Sequence, residues 1–253
     1  MQSITFDAVT KCYGDTRAID GVSLQVAGGS FVALVGTSGS GKSTLLKTVN
    51  RLVVPDEGRV MLDMRDVRED TAPALRRRVG YVFQSIGLFP HMTVAENIAI
   101  GLRIAGRPED GVVAELLDLV ELPRDAAGRM PDALSGGQRQ RVGIARALAP
   151  GAKLLLLDEA LGALDPVTRD SLGRAIRSLH DRLGLTTMLV THDMAEALLL
   201  ADRVLVMQRG RIVADATPAE LARGGGGDAA QALVAVPRVQ ADRLRALAQG
   251  PTA

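Results

Sequence analysis

Nine residues, Gly36-Thr37-Ser38-Gly39-Ser40-Gly41-Lys42-Ser43-Thr44, constrain this chain more than any other feature. They follow an apolar run, Phe31 to Val35, and precede a stretch in which Leu45, Leu46, Val49 and Leu52 recur at helical spacing. A strand, a glycine loop and a helix in that order build a phosphate cradle. The glycines let backbone N–H groups turn inward, and the helix start adds the positive end of its dipole. In such a cradle Lys42 reaches the β and γ oxygens of a nucleoside triphosphate, and the Ser43 hydroxyl ligates Mg²⁺. The loop implies nucleoside triphosphate binding and leaves the activity that follows open.

The rest of the chain supplies the layers such a loop needs. Strands are expected over Ile4 to Val9, Val22 to Val26, Val60 to Leu62, Val79 to Phe83, Lys153 to Leu157, Thr186 to Val190, Val204 to Met207 and Arg211 to Ala214. Helices are expected over residues 72 to 78, Val167 to Leu183 and Met194 to Leu200. From about Pro90 to Leu134 the strand signal stops, and Thr93 to Leu102 and Val112 to Leu119 carry helix-period apolar positions, which reads as a helical insertion. The alternation predicts an α/β fold with a mostly parallel sheet and helices on both faces. Residues 1–223 form one large domain in this reading. Residues 224–253 form an appendage, in which Gly224 to Gly227 is a flexible linker to a short helix around Ala229 to Leu247. No internal repeat is present.

Composition narrows the partners. Thirty Lys and Arg against 29 Asp and Glu leave a formal charge of +1, which gives no overall field for nucleic acid or an anionic bilayer. Aromatic residues are 2% with no Trp, which argues against stacking platforms for single strands, so nucleic acid is not expected as a partner. Cys12 is the single cysteine, so no intrachain disulfide can form; a reducing, cytoplasmic setting is the simpler expectation, with Cys12 as inert packing. The first residues carry no charged and then apolar leader pattern, and no run of 18 or more apolar residues occurs, so the chain is not expected to span a membrane alone.

Two further strings carry chemistry. Leu154-Leu155-Leu156-Leu157 is a buried-type strand ending in Asp158-Glu159, which brings Asp158 out at the carboxyl end of the sheet, where a Mg²⁺ ligand belongs. Glu159 beside it can act as general base toward an attacking water, although an acidic pair after a strand can also be a helix cap. Upstream, Leu134-Ser135-Gly136-Gly137-Gln138 opens the helix that runs from Gln138 to Leu148. Ser135 can cap it, and the two glycines leave N–H groups bare at its positive end. That makes a second anion site, or else an ordinary cap with glycines for the turn.

The two strings resemble the signature and Walker B motifs of the ATP-binding-cassette ATPases, and the resemblance extends over nearly all of residues 1–223. It implies a P-loop NTPase, RecA-like core with an antiparallel β subdomain and a helical subdomain at about 90–140. It also implies that ATP and Mg²⁺ are the ligands. Tyr13 is then similar to the family's adenine-stacking aromatic, and without the resemblance it is a half-buried tyrosine. Gln84 resembles the Q-loop glutamine that approaches Mg²⁺ and the water, Ala163-Leu164-Asp165 the D-loop at the dimer seam, and His192 the switch histidine that contacts the γ-phosphate. The resemblance implies a head-to-tail dimer, of two copies or of this chain with a homologous ATPase subunit. In it, Leu134 to Gln138 and Asp165 of one subunit close over ATP held by the other. Gly162, where serine is frequent, and Ala160, where proline is frequent, depart from the pattern; the first puts part of the contact across the dimer in doubt.

The string Arg78 to Val94 and the tail Val234 to Leu244 are similar to the importers of quaternary amines and other osmoprotectants such as glycine betaine, choline and carnitine. That implies a peripheral subunit on the cytoplasmic face of a bacterial inner membrane. Its partners would be transmembrane permease subunits and, through the complex, an extracytoplasmic solute-binding protein. Leu88, Phe89 and Met92 would form a socket for a partner helix, or else plug the local core. An exporter ATPase and a soluble cassette protein acting on DNA or ribosomes are the competing readings. A phosphotransferase with the same loop would leave the signature string idle.

Overall fold

Side chains alternate across single strands, and that alternation sets the layering. Along β3 (Phe31–Val35) all five residues are buried; Phe31, Ala33 and Val35 enter one apolar core while Val32 and Leu34 enter another on the opposite face. β7 (Leu154–Asp158) does the same, with Leu155 and Leu157 on one side and Leu154 and Leu156 on the other. A strand with two buried faces reads as a continuous aliphatic run, and burying each such leucine contributes about 2 kcal/mol. The computed structural model describes residues 2–249.

In chain order the elements begin with a hairpin, β1 (Ile4–Tyr13) and β2 (Thr16–Val26), then β3, α1 (Lys42–Val49), β4 (Glu57–Leu62), β5 (Arg65–Asp66), α2 (Ala72–Arg78) and β6 (Val79–Val82). A helical stretch follows with α3 (Val94–Ile104), α4 (Val112–Leu119), two short 3-10 turns and α5 (Gly136–Leu148). β7, α6 (Pro166–Leu183), β8 (Thr186–Val190), α7 (Met194–Leu200), β9 (Arg203–Gln208), β10 (Arg211–Ala216), α8 (Pro218–Ala222) and α9 (Gly227–Gln249) complete it.

The strands form two sheets. One has four strands in the order β2-β1-β4-β5, antiparallel throughout, and the other six in the order β10-β9-β3-β8-β7-β6. In the second, β9, β3, β8, β7 and β6 run parallel and only β10 is antiparallel. The expected mostly parallel sheet, antiparallel β subdomain and helical insertion are the architecture of the chain. β3, β7 and β8 all end at the same edge, which is where the loops carrying Gly36 and Thr191 emerge and where β7 ends in Asp158.

Several stretches differ from the sequence reading: β1 runs on to Tyr13 rather than ending at Val9, β4 begins at Glu57 rather than Val60, and β5 and α8 were not expected. β2 begins at Thr16 rather than Val22, because Thr16 and Arg17 lie exposed at the hairpin end of an edge strand whose register on β1 shifts repeatedly, so no apolar alternation marks them. The Gly224–Gly227 tract, expected as a linker, is an ordered turn. Gly225 N–H donates to Glu220 O at 2.9 Å, and the Gln231 side chain donates to the Leu221 and Gly225 carbonyls. α9 is correspondingly longer than expected, and its first turns bury Ala230 and Val234 in the main core. Among the described residues no helix is long and apolar enough to cross a membrane.

Candidate nucleotide site

The phosphate loop turns out of β3 on glycines that the backbone requires. Gly36 has φ +153° and Gly41 φ +106°; a side chain at Gly36 would collide with the Met207 carbonyl, and one at Gly41 with the Ala18 carbonyl. α1 then starts at Lys42 with no side-chain cap, which leaves its first N–H groups facing the loop. Lys42 is buried, and its Nζ donates to the Gly36 and Thr37 carbonyls, both at 2.9 Å. Burial holds its pKa below the usual lysine range, with the Glu159 and Asp158 carboxylates opposing the shift.

Four chain segments converge on the two acids at the end of β7. Asp158 is 5% exposed and accepts from Ser43 Oγ at 2.6 Å and from Tyr81 OH at 2.7 Å, with Lys47 Nζ 3.3 Å away. Burial and the hydrogen bond to Asp158 push the Tyr81 phenol far above its ordinary value, so it stays a donor. Glu159 follows in the left-handed region at φ +50°, an uncommon conformation for a side-chain-bearing residue that aims its carboxylate away from the strand. Gln84 Nε2 donates to Glu159 Oε2 at 3.0 Å, and His192 Nδ1 lies 3.8 Å from the same oxygen.

The structure thus brings Lys42, Ser43, Asp158, Glu159, Gln84 and His192 to one edge of the sheet. Gly36 to Thr44 form the floor of the loop, and Tyr13 stands at the β1–β2 turn, 53% exposed with Lys11 Nζ 5.6 Å over its ring. Ser135 and Gln138 are occupied with one another: Ser135 Oγ accepts from Gln138 N at 3.2 Å and Gln138 Oε1 accepts from Ser135 N at 2.9 Å. Leu134 is buried beneath them, and a Cβ at Gly137 would press on the Thr168 methyl, which would have to shift. Gly136 faces Leu164. Asp165 caps α6 by accepting from Thr168 N at 3.0 Å, and that bonding holds its carboxyl below the usual range. Gly162 has room for a side chain, with Glu159 O and His192 Cε1 each 3.5 Å from a built Cβ, so the missing serine at this position is not imposed by packing.

Tyr81, Lys47 and Arg169 are residues of this region that the sequence reading missed. Tyr81 carried a signal, as a hydroxyl-bearing aromatic in the strand that leads into Gln84. Lys47 and Arg169 carried none, because a basic residue on a helix face is ordinarily solvated. The segment 85–92 divides: Leu88 packs against the main core, while Phe89 is 41% exposed. With Phe83, Leu52, Arg76 and Arg146, Phe89 lines an open groove of about 540 Å³. Arg146 is held over the turn that follows Gln84 by donating to the Gly87 and Ile86 carbonyls at 2.6 and 2.5 Å.

Ser43 Oγ and the Asp158 carboxylate meet at 2.6 Å, an oxygen pair of the kind that suits a hard cation such as Mg²⁺, while the Gln84 amide nitrogen is turned to Glu159. Among the described residues no group of three or more His, Cys, Asp or Glu side chains is placed to hold a metal ion by itself.

A phosphate loop, two acids at the adjoining strand end and a capped helix start on a helical insertion define the class of protein. The family model described as ABC transporter matches residues 19–162, and the chain belongs to the ABC transporter family. It is 45% identical to the carnitine transport ATP-binding protein OpuCA of Listeria monocytogenes, over 87% of this chain and 56% of that protein. It is 50% identical to the sulfate/thiosulfate import ATP-binding protein CysA of Caulobacter vibrioides, over 85% of this chain and 65% of that protein. The chain therefore spans little more than half the length of the carnitine relative. The dimeric structure of MJ0796, a bacterial ABC transporter cassette, superposes with a TM-score of 0.77 at 33% identity, covering 85% of this chain and 98% of MJ0796.

Proposed function

We propose that this chain is the ATP-hydrolysing subunit of an importer, and that it works as a dimer beneath transmembrane permease subunits at the cytoplasmic face of a bacterial inner membrane. The carrying observation is the Glu159 carboxylate, set beside Asp158 and Ser43 and flanked by Gln84 and His192 on the same oxygen. Lys42 and the N–H groups of Gly39 to Ser43 grip the β- and γ-phosphates. Glu159 takes a proton from a water aligned by Gln84, the water oxygen bonds to the γ-phosphorus, and the bond to the β–γ bridging oxygen breaks. His192 holds the departing phosphoryl oxygens. Ser43, Asp158 and Gln84 would hold Mg²⁺, which when bound supplies charge neutralisation on the phosphates.

A head-to-tail dimer gives the Ser135 helix start and Asp165 a role, because their N–H groups and cap can close on a nucleotide held by another copy or by a homologous subunit. The MJ0796 dimer, also known bound to ADP and Pi, supports that arrangement. The groove at Phe83 and Phe89 is the proposed permease contact. Quaternary amines are the proposed cargo, delivered by an extracytoplasmic binding protein; the carnitine relative and the Arg78 to Val94 string favour them. The 50% identity to a sulfate/thiosulfate import protein keeps an inorganic oxyanion as the second reading.

Glu159→Gln is expected to bind ATP, to lose turnover by about 100-fold or more, and to elute at dimer mass in ATP by size-exclusion chromatography. Turnover at the parent rate would remove Glu159 from the role of base. Uptake of labelled choline, carnitine and sulfate by cells carrying the Glu159→Gln chain separates the cargo readings. Only the true cargo loses accumulation.

A further inference from the structure

Arg169, in the first turns of α6, touches two loops that the sequence keeps apart. Its Nη2 donates to the Leu164 carbonyl at 2.9 Å and to the Gly162 carbonyl at 3.4 Å, in the segment that follows Glu159. Its Nη1 lies 3.6 Å from Asp193 Oδ2 and its Nε 3.8 Å from Glu196 Oε1, at the start of α7. Thr191 closes the circuit: its Oγ1 donates to Glu196 Oε2 at 2.6 Å and accepts from Asp193 N at 3.0 Å, so the two residues on either side of His192 are tied down while the imidazole itself is exposed.

The two segments abut directly, since a Cβ at Gly162 would stand 3.5 Å from His192 Cε1. Glu196 is 9% exposed, and burial raises its pKa while the Arg169 charge opposes that shift. Arg169 Nε is itself enclosed and donates no hydrogen bond, so part of this guanidinium's capacity is spent as charge facing the carboxylates. A planar guanidinium can present donors to carbonyls on one edge and to carboxylates on another, which a lysine ammonium cannot do in fixed geometry.

We propose that Arg169 is a positioning residue that ties the turn from Glu159 to Leu164 to the segment bearing His192, so that both side chains meet a γ-phosphate in one fixed relation. The proposal rests on the hydrolytic reading of Glu159 and His192. Because a displacement of about 1 Å can cost about 100-fold in rate, loss of the tie is felt in turnover more than in binding.

The test is steady-state ATP hydrolysis by the purified full chain. Arg169→Ala is expected to lower kcat about ten- to 100-fold with KM for ATP within about twofold, and Arg169→Lys to recover only part of that loss. Glu196→Gln lowers kcat less, and the double variant Arg169→Ala/Glu196→Gln loses less than the product of the two single losses. An Arg169→Ala chain with parental kcat, or one that loses thermal stability and ATP affinity while kcat holds, overturns the proposal. If that variant does not fold, Arg169→Lys with parental kcat overturns it equally. A parent chain with no hydrolysis sinks the hydrolytic reading, and this proposal with it; an active parent indifferent to residue 169 sinks this proposal alone.

Discussion

His180 is the histidine enclosed by the core, with its ring 5.2 Å from Phe31 and Nδ1 2.9 Å from Thr187 Oγ1. Burial, helped by the Arg177 cation, holds its pKa below the usual histidine range. The unfolded chain therefore binds the proton more readily. Stability from the neutral ring is full above an unfolded pKa of about 6.5 and is lost as pH falls through the lowered folded value, at up to about 1.4 kcal/mol per pH unit. Urea unfolding at about pH 7.5 and 5.5 should show the parent losing more stability on acidification than His180→Gln. At this scale fixed offsets made residues legible: Lys42 and Ser43 follow the glycine loop, and Asp158 and Glu159 stand at the end of a strand. Tyr81 stayed hidden because its partner Asp158 lies 77 residues further on, and only the parallel pairing of β6 with β7 brings them together.

Among the elements, α9 starts two residues earlier than the sequence reading placed it, and it is docked on the core. A run of glycines suggests freedom, yet Gln231 clamps the turn and Val234 is 3% exposed in the main core, while the residues from Gln240 to Ala248 are exposed. Val234→Ala should cost about 2 kcal/mol in chemical unfolding, and a chain ending at Arg238 should lose almost nothing. An equal cost for both would mean that the outer turns of α9 carry stability. The helix start at Ser135 was legible from its cap chemistry, and the structure shows side-chain caps at further helices. Thr93 and Ser135 head reciprocal boxes with Glu96 and Gln138, and Asp165 caps ahead of Pro166. The first half of β2 was not, since polar residues on an edge strand owe their conformation to β1.

For the molecule as a whole, the proposed head-to-tail pair makes each ATP site a composite of two chains. A chain with Lys42→Ala spoils its own loop, and a chain with Ser135→Arg spoils the site it lends. Each alone should be nearly inactive. Mixed in equal amounts, half of the dimers are hybrids with one sound site, so hydrolysis should return to about a quarter of the parent rate if the sites act independently. No recovery on mixing, with both chains folded and dimeric, would mean that each chain completes its own site.

The sequence by itself determined the alternating layers, the phosphate loop and the acids at the end of β7. These are written in short stretches of chain: a glycine at Gly41 where φ is +106°, a lysine at the first position of a helix, four consecutive leucines in one strand. Only the tertiary structure decided what surrounds them. Lys47 and Tyr81 on Asp158, Arg169 between two loops, and Val234 in the core are contacts across sheet and helix. Hydrophobic patterning fixes which face of an element is buried, and the packing of whole elements fixes which distant side chain arrives beside it.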